Sequence, residues 1–200
     1  TDDRGKSRRL TCKYHGWSYD TSGSCVRIPA DREGTPIPNR ARMSSLPIQE
    51  TNGFIWIFPG QADLADPALI PPFPEFGQDG WRPVHGEYIW NANFSRVVES
   101  GLDTSHAPFV HKPFFPNRDD AVVHPLDVKV TDHHVSTYVQ LKPPKRLGLL
   151  KYIIKKDRDY SSSVLTGYLP CINRIAIDFN WRGYQYIYFA SNIPVSENLT

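Results

Sequence analysis

Cysteine is scarce in this chain, and long apolar runs are absent. The 200 residues include only Cys12, Cys25 and Cys171, too few and too scattered for a disulfide framework, so a reducing compartment is expected. No stretch approaches the roughly 20 apolar residues that cross a bilayer, which excludes an expected membrane span. Neither sign of charge dominates: 23 basic residues stand against 21 acidic ones, net +2, with no block of like charge. Nucleic acid and anionic membranes are therefore not expected partners. The short basic clusters Lys142-Pro-Pro-Lys145-Arg146 and Lys155-Lys156-Asp-Arg158 fit solvated turns. There is no repeat, no low-complexity tract, no initiator Met and no targeting pattern after Thr1, and Thr200 closely follows a strand-like run, so a fragment is expected.

What is present suits a folded protein. With 40 % hydrophobic and 22 % charged residues the chain can bury a core, and its length suffices for one large domain or one and a half ordinary ones.

The chemistry concentrates in Glu99-Ser-Gly-Leu-Asp103-Thr-Ser-His106-Ala-Pro-Phe-Val-His111. Side chains three, four and seven apart share a helix face, so Glu99, Asp103 and His106 are expected to point the same way. His111 leaves that face unless the helix breaks after His106, and Pro108 would supply the break. Two imidazoles could then converge on one metal ion, with a carboxylate on the ring nitrogen turned away from it. The alternative is that both histidines are surface or capping residues at a helix end.

A second constellation is Leu10-Thr-Cys12-Lys-Tyr-His15-Gly-Trp17-Ser-Tyr-Asp20. Cys12 and His15, in a tight loop ended by Gly16, can both turn toward one metal centre. Taken alone, Cys-x-x-His better suits a structural loop or half of a zinc site. Cys25 reads as a small core hydrophobe.

Residues 26 to 59 read as short strands at Ile28-Pro29, Gly34–Pro38, Ser45–Gln49 and Gly53–Phe58, a small all-β module. The next stretch, with Pro67, Pro71, Pro72 and Pro74, admits neither helix nor central strand and marks a boundary. Gly86–Trp90 reads as a strand leading into the motif helix, with Asn93 as its N-cap. After a loop from Lys112 to Asp120, strands are expected at Leu126–Val130, Val135–Val139, Lys151–Ile154, Ser163–Thr166, Ile172–Asp178 and Tyr184–Phe189. Several alternate in polarity, which suggests an antiparallel sheet with one covered face. His133-His134 reads as a hairpin turn, and His85 lies outside the cluster. His124 could line a pocket near the motif loop, though a surface place is favoured.

Together and in this order, the two motifs resemble the large catalytic subunit of the Rieske-type non-haem iron oxygenases. The 93–109 region is most similar to the branch with pheophorbide a oxygenase, chlorophyllide a oxygenase and vanillate demethylase. The resemblance implies an α+β fold: the C-terminal part of a small all-β Rieske [2Fe-2S] domain at 1–60, a proline-rich linker at 61–82, and a catalytic domain at 83–200 with an antiparallel sheet and an iron-binding helix. It implies that Cys12 and His15 hold the [2Fe-2S] cluster, that His106 and His111 hold mononuclear Fe(II), and that Asp103 and Glu99 serve catalysis. The cluster's first Cys-x-His pair would precede Thr1, and the third iron ligand, an Asp, would follow Thr200. Asp178 is the nearest internal candidate, in a strand-like run that argues against it.

The implied activity is that of a mono- or dioxygenase. A ferredoxin or flavin reductase would supply electrons through the cluster to the iron, where O2 is activated and oxygen enters an aromatic or other apolar organic substrate by hydroxylation, ring oxygenation or O-demethylation. The implied assembly is a homotrimer in which the Asp at Asp103 bridges to the neighbouring subunit's cluster, and the implied compartment is the cytoplasm or a plastid stroma. Two other classes compete: a Rieske-type electron carrier without oxygenase activity, for which the pair His106 and His111 would have no use, and a zinc-stabilised interaction module.

Overall fold

The computed structural model describes residues 8–111, 125–141, 161–179 and 182–200, which form two compact units, Thr1–Ile70 and Pro71–Thr200. The architecture is α+β.

In the first unit, β1 (Leu10–Thr11), β2 (Ser18–Tyr19) and β3 (Cys25–Arg27) make an antiparallel sheet, while β4 (Ile48–Thr51) and β5 (Phe54–Ile57) make a hairpin across Asn52-Gly53. Cys25 is buried, as its hydrophobic reading requires. No strand forms at Ile28-Pro29 or Gly34–Pro38: turns are closed there by Asp31 N–H on the Ile28 carbonyl and Thr35 N–H on the Arg32 carbonyl, and irregular chain runs on to Pro38. Pro29, Pro36 and Pro38 remove the donors that a ladder would need. The proline-rich stretch carries two short 3-10 turns, Ala62–Leu64 and Pro67–Leu69; the second is capped by the Asp66 carboxylate on the Ala68 N–H.

The second unit is built on a five-stranded antiparallel meander, order β10-β9-β8-β7-β6. Its strands are β6 (Asp127–Val130), β7 (His134–Leu141), β8 (Ser161–Tyr168), β9 (Ile172–Asp178) and β10 (Gln185–Ser191). The β6–β7 turn runs through His133, and His134 opens β7 with its Nδ1 3.0 Å from Thr131 Oγ1. The expected strand at Lys151–Ile154, the loop after His111 and His124 lie outside the described residues.

Adjacent side chains on a strand face opposite ways, and β9 shows the result. Asn173 meets helix α1 (Phe94–Leu102), while Arg174 on the other face pairs with Glu75 at 2.6 Å. Phe73 stacks on Phe189 at 4.7 Å, so the chain from Pro71 onward, the latter part of the proline-rich stretch, packs onto this sheet. Gly86–Trp90 is not a strand. Trp90 instead exchanges two backbone hydrogen bonds with Thr200, at 2.9 and 3.0 Å, which fixes the chain just before α1.

Candidate metal centre

Helix α1 begins where the sequence says it should. The Asn93 carboxamide oxygen accepts from the Ser95 N–H at 3.0 Å, and Asn93 Nδ2 donates to the Glu197 carbonyl at 2.7 Å. The helix ends earlier than the Pro108 break would place it. Asp103 is its C-cap, in extended conformation, and a second helix, α2 (Ala107–Val110), follows with His106 as N-cap and His111 as C-cap.

The reason is local. Asp103 Oδ1 accepts from both the Ser105 N–H at 2.8 Å and the Ser105 hydroxyl at 2.6 Å, a turn that competes with helix propagation. Pro108 then sits in the first turn of α2, where its missing N–H has no helical partner to lose. The break thus falls before His106, and the two histidines stand at opposite ends of one short helix.

Their rings lie 5.3 Å apart, centroid to centroid, inclined at 67°. His106 is half-buried, and its Nδ1 lies 3.2 Å from Asp103 Oδ2. That contact directs Nε2 away from the carboxylate and leaves it free for a metal. Hydrogen bonds from the Ser105 side chain, before those from the Ser105 backbone and His106, hold the Asp103 carboxyl below its ordinary value against a smaller opposing effect of burial. The carboxylate is thereby kept ionised beside the imidazole.

Glu99 does not join this group. It pairs with Arg96 at 2.6 Å on the exposed side of α1, because the i, i+3 neighbour is nearer to hand than the imidazoles beyond the helix break. Asp178, on β9, accepts from Gln185 Nε2 at 3.1 Å. Among the described residues no group of three or more His, Cys, Asp or Glu side chains could hold a metal ion. The donor set present, two imidazoles and a supporting carboxylate, fits two positions of a two-histidine, one-carboxylate iron site.

The loop between β1 and β2 presents the other pair. Gly16 N–H donates to the Cys12 carbonyl at 2.9 Å and Cys12 N–H to the Trp17 carbonyl at 2.8 Å, closing a tight loop with Cys12 and His15 both exposed on it. Gly16 has φ +73°, and a Cβ there would stand 3.0 Å from Pro29 Cγ, so only glycine makes this corner without strain. Tyr14 packs edge-on against His15 at 3.9 Å. One thiol and one imidazole fit half the ligand set of a Rieske cluster.

The sequence reading missed Asn173. This buried amide donates to the Val98 carbonyl of α1 at 3.0 Å. Gly101, a glycine in the last turn of α1, was the available signal, since it leaves room for a close neighbour.

Residues 90–200 match the family described as the vanillate O-demethylase oxygenase C-terminal domain, and residues 1–48 match the Rieske [2Fe-2S] domain. The chain is 38% identical to methylxanthine N1-demethylase NdmA of Pseudomonas putida over 123 residues, 60% of this chain and 34% of that protein. It is 36% identical to the oxygenase component of dicamba O-demethylase from Stenotrophomonas maltophilia over 103 residues, 52% of this chain and 30% of that protein. The chain thus spans about a third of the length of these relatives. Among solved structures, a mutant of Pseudomonas putida NdmA with theobromine superposes with a TM-score of 0.70 at 25% identity, over 96% of this chain and 52% of that one. Dicamba monooxygenase with non-heme iron and dicamba superposes with a TM-score of 0.69 at 22% identity, over 96% and 56%, a likeness of fold.

Proposed function

Because the chain belongs to the family of the vanillate O-demethylase oxygenase C-terminal domain, joined to a Rieske [2Fe-2S] domain, we propose that it is part of a terminal oxygenase that inserts oxygen from O2 into an aromatic or other apolar organic substrate. The observation that carries this reading is the pair of imidazoles, His106 and His111, 5.3 Å apart at the ends of α2 with Asp103 on the far nitrogen of one of them. A pure electron carrier has no use for such a pair. When bound, the cluster supplies one-electron transfer, and Fe(II) supplies open coordination positions for O2 and substrate.

In this proposal Cys12 and His15 hold the cluster, His106 and His111 hold the iron, and Asp103 orients His106. The segment 1–60 is the Rieske part, 61–82 the connection and 83–200 the catalytic part. Electrons come from a ferredoxin or flavin reductase, in keeping with the name oxygenase component borne by one relative. The names of the relatives favour oxidative O- or N-demethylation as the reaction. In a homotrimer, the exposed edge of the Asp103 carboxylate would face the neighbouring copy's cluster histidine. Among the described residues no helix is long and apolar enough to cross a membrane; the proposed compartment is the cytoplasm, or the stroma in a photosynthetic eukaryote.

The test uses the complete protein with reductase, NADH, labelled O2 and a panel of methoxy-aromatic and N-methyl heteroaromatic compounds. The label is expected in the products. His106→Ala is expected to lose the mononuclear iron and turnover while keeping the cluster's absorption spectrum. Zinc in place of iron and sulfide, or undiminished oxygen incorporation in His106→Ala, overturns the assignment.

A further inference from the structure

Asn173 is the largest fully buried side chain among the described residues, only 2 % exposed, and it is polar. Its Nδ2 donates to the Val98 carbonyl of α1 at 3.0 Å, and its Oδ1 accepts from Asn192 Nδ2 at 2.7 Å. Asn192 is fixed in turn, since its side chain and its backbone N–H both donate to the Cys171 carbonyl, at 3.0 and 2.8 Å. We propose that Asn173, held by Asn192, is a positioning residue for the metal helix: it sets where α1 lies on the sheet, and so where the chain beyond α1 presents His106 and His111. This rests on the reading of that pair as a metal site.

Three features make the contact a register lock rather than general packing. First, the helix is cut to receive the amide: a Cβ on Gly101 would lie 2.8 Å from Asn173 Nδ2 and 2.9 Å from its Cγ. An amide bonded at both ends cannot swing aside. Second, the sheet is cut to receive the helix, since a Cβ on Gly167 would lie 2.9 Å from Leu102 Cδ1. Third, an apolar side chain would tolerate sliding along the helix, whereas a buried amide loses its bonds if α1 shifts by a fraction of a turn.

The bond also lies close to the site along the chain. Val98 adjoins Glu99, whose carbonyl accepts the Asp103 N–H at 3.1 Å, and Asp103 Oδ2 holds His106 Nδ1 at 3.2 Å. A displacement of Val98 therefore reaches the imidazole through one helical bond and one carboxylate.

The experiment compares the complete protein with Asn173→Leu, Asn192→Ala and Val139→Ala. Val139 is a buried β7 residue that serves as a stability control. Cobalt(II) is titrated into protein stripped of its mononuclear metal, melting is followed in parallel, and hydrogen exchange is measured at the Leu102 amide, whose helical acceptor is the Val98 carbonyl. Asn173→Leu is expected to weaken cobalt binding by several- to about tenfold, at or below the low end of the roughly ten- to hundredfold range for partners bonded directly to metal ligands, because it acts through Val98 and Asp103. It should also raise Leu102 exchange at least severalfold, with the cluster spectrum unchanged. Asn192→Ala should shift both in the same direction by less, and it serves alone if Asn173→Leu does not fold. Cobalt affinity within twofold of wild type in the folded asparagine variants, or an equal loss in Val139→Ala, overturns the proposal. If cobalt binds equally to wild type and His106→Ala, the metal reading has failed. The Leu102 amide then decides the lock by itself, and unchanged exchange there overturns it.

Discussion

His106 Nδ1 and Asp103 Oδ2 lie 3.2 Å apart across the break between α1 and α2, while the other oxygen of the same carboxylate takes both hydrogen bonds of Ser105. One carboxylate thus ends the helix and aims the imidazole. Asn at this position keeps the size and an oxygen for Ser105 but removes the charge and one acceptor, so His106 Nδ1 loses its anionic partner and the proposed carboxylate path toward a cluster histidine is broken. In the complete protein, Asp103→Asn is expected to retain cluster and iron, yet to slow turnover by about ten- to a hundredfold or more. Rapid mixing of reduced protein with O2 and substrate checks it: cluster reoxidation should slow by a similar factor, and a wild-type rate would leave Asp103 with only its capping role.

Gly16 makes the corner of the loop that carries Cys12 and His15, the proposed cluster ligands, at φ +73°, with Pro29 close behind it. Gly16→Ala forces an L side chain into the left-handed region, a cost of about 1–2 kcal/mol, before the tight contact with Pro29 is relieved. Lower thermal stability and a reduced yield of assembled cluster are expected, because metal binding and folding of the loop are coupled. Circular dichroism melts and the iron-to-protein ratio measure the two effects.

The parts legible in the sequence were those with local causes. Asn93 caps α1 because a carboxamide before a helical run satisfies orphan N–H groups, and five of the six strands expected after the motif appear in the sheet, the other lying outside the described residues. The helix break was misplaced because two local effects compete. Proline is tolerated in a first turn, and the Asx turn at Asp103 and Ser105 acts earlier in the chain than Pro108. Glu99 was grouped with the imidazoles by helical periodicity as well as by the motif, and the periodicity holds only while the helix continues. The bond between Asn173 and Val98 spans 75 residues, and no local pattern encodes a pairing at that separation.

Acid stability offers a further check in the first unit. The Asp20 carboxyl is held below its ordinary 3.8, first by the Ser22 hydroxyl, against an opposing effect of desolvation, with the Ser24 and Ser22 N–H groups and Arg42 adding to the lowering. A depressed carboxyl contributes stability that is complete above the unfolded value and is lost as pH falls through the folded value. Asp20→Ala should therefore lower the melting temperature near neutral pH, and the gap to wild type should close as the solution is acidified past that range. A gap that stays constant down to strong acid would show that the turn owes nothing to the charge.

The ion pair between Glu75 and Arg174 tests how the 71–77 segment is held. The two side chains are 17 % and 16 % exposed and meet at 2.6 Å, and the second carboxylate oxygen and the Arg174 Nε are buried without a partner among the described residues. Removing one member strands the other charge, so Arg174→Met should cost about 3–5 kcal/mol in denaturant unfolding. The double variant Glu75→Leu, Arg174→Met should recover much of that loss, because hydrophobic replacement of a buried pair leaves no charge uncompensated and can pack on the adjacent stack of Phe73 and Phe189. Tyr168 reports the same event independently. Burial raises its phenol, Arg174 lowers it and Glu75 raises it. Arg174→Met should therefore push the phenol higher still, and Glu75→Gln should bring it down, both readable by ultraviolet titration. Losses in Arg174→Met and in Glu75→Leu that simply add in the double variant, with no recovery, would mean that the pair contributes nothing as a pair and that the aromatic stack alone holds the segment.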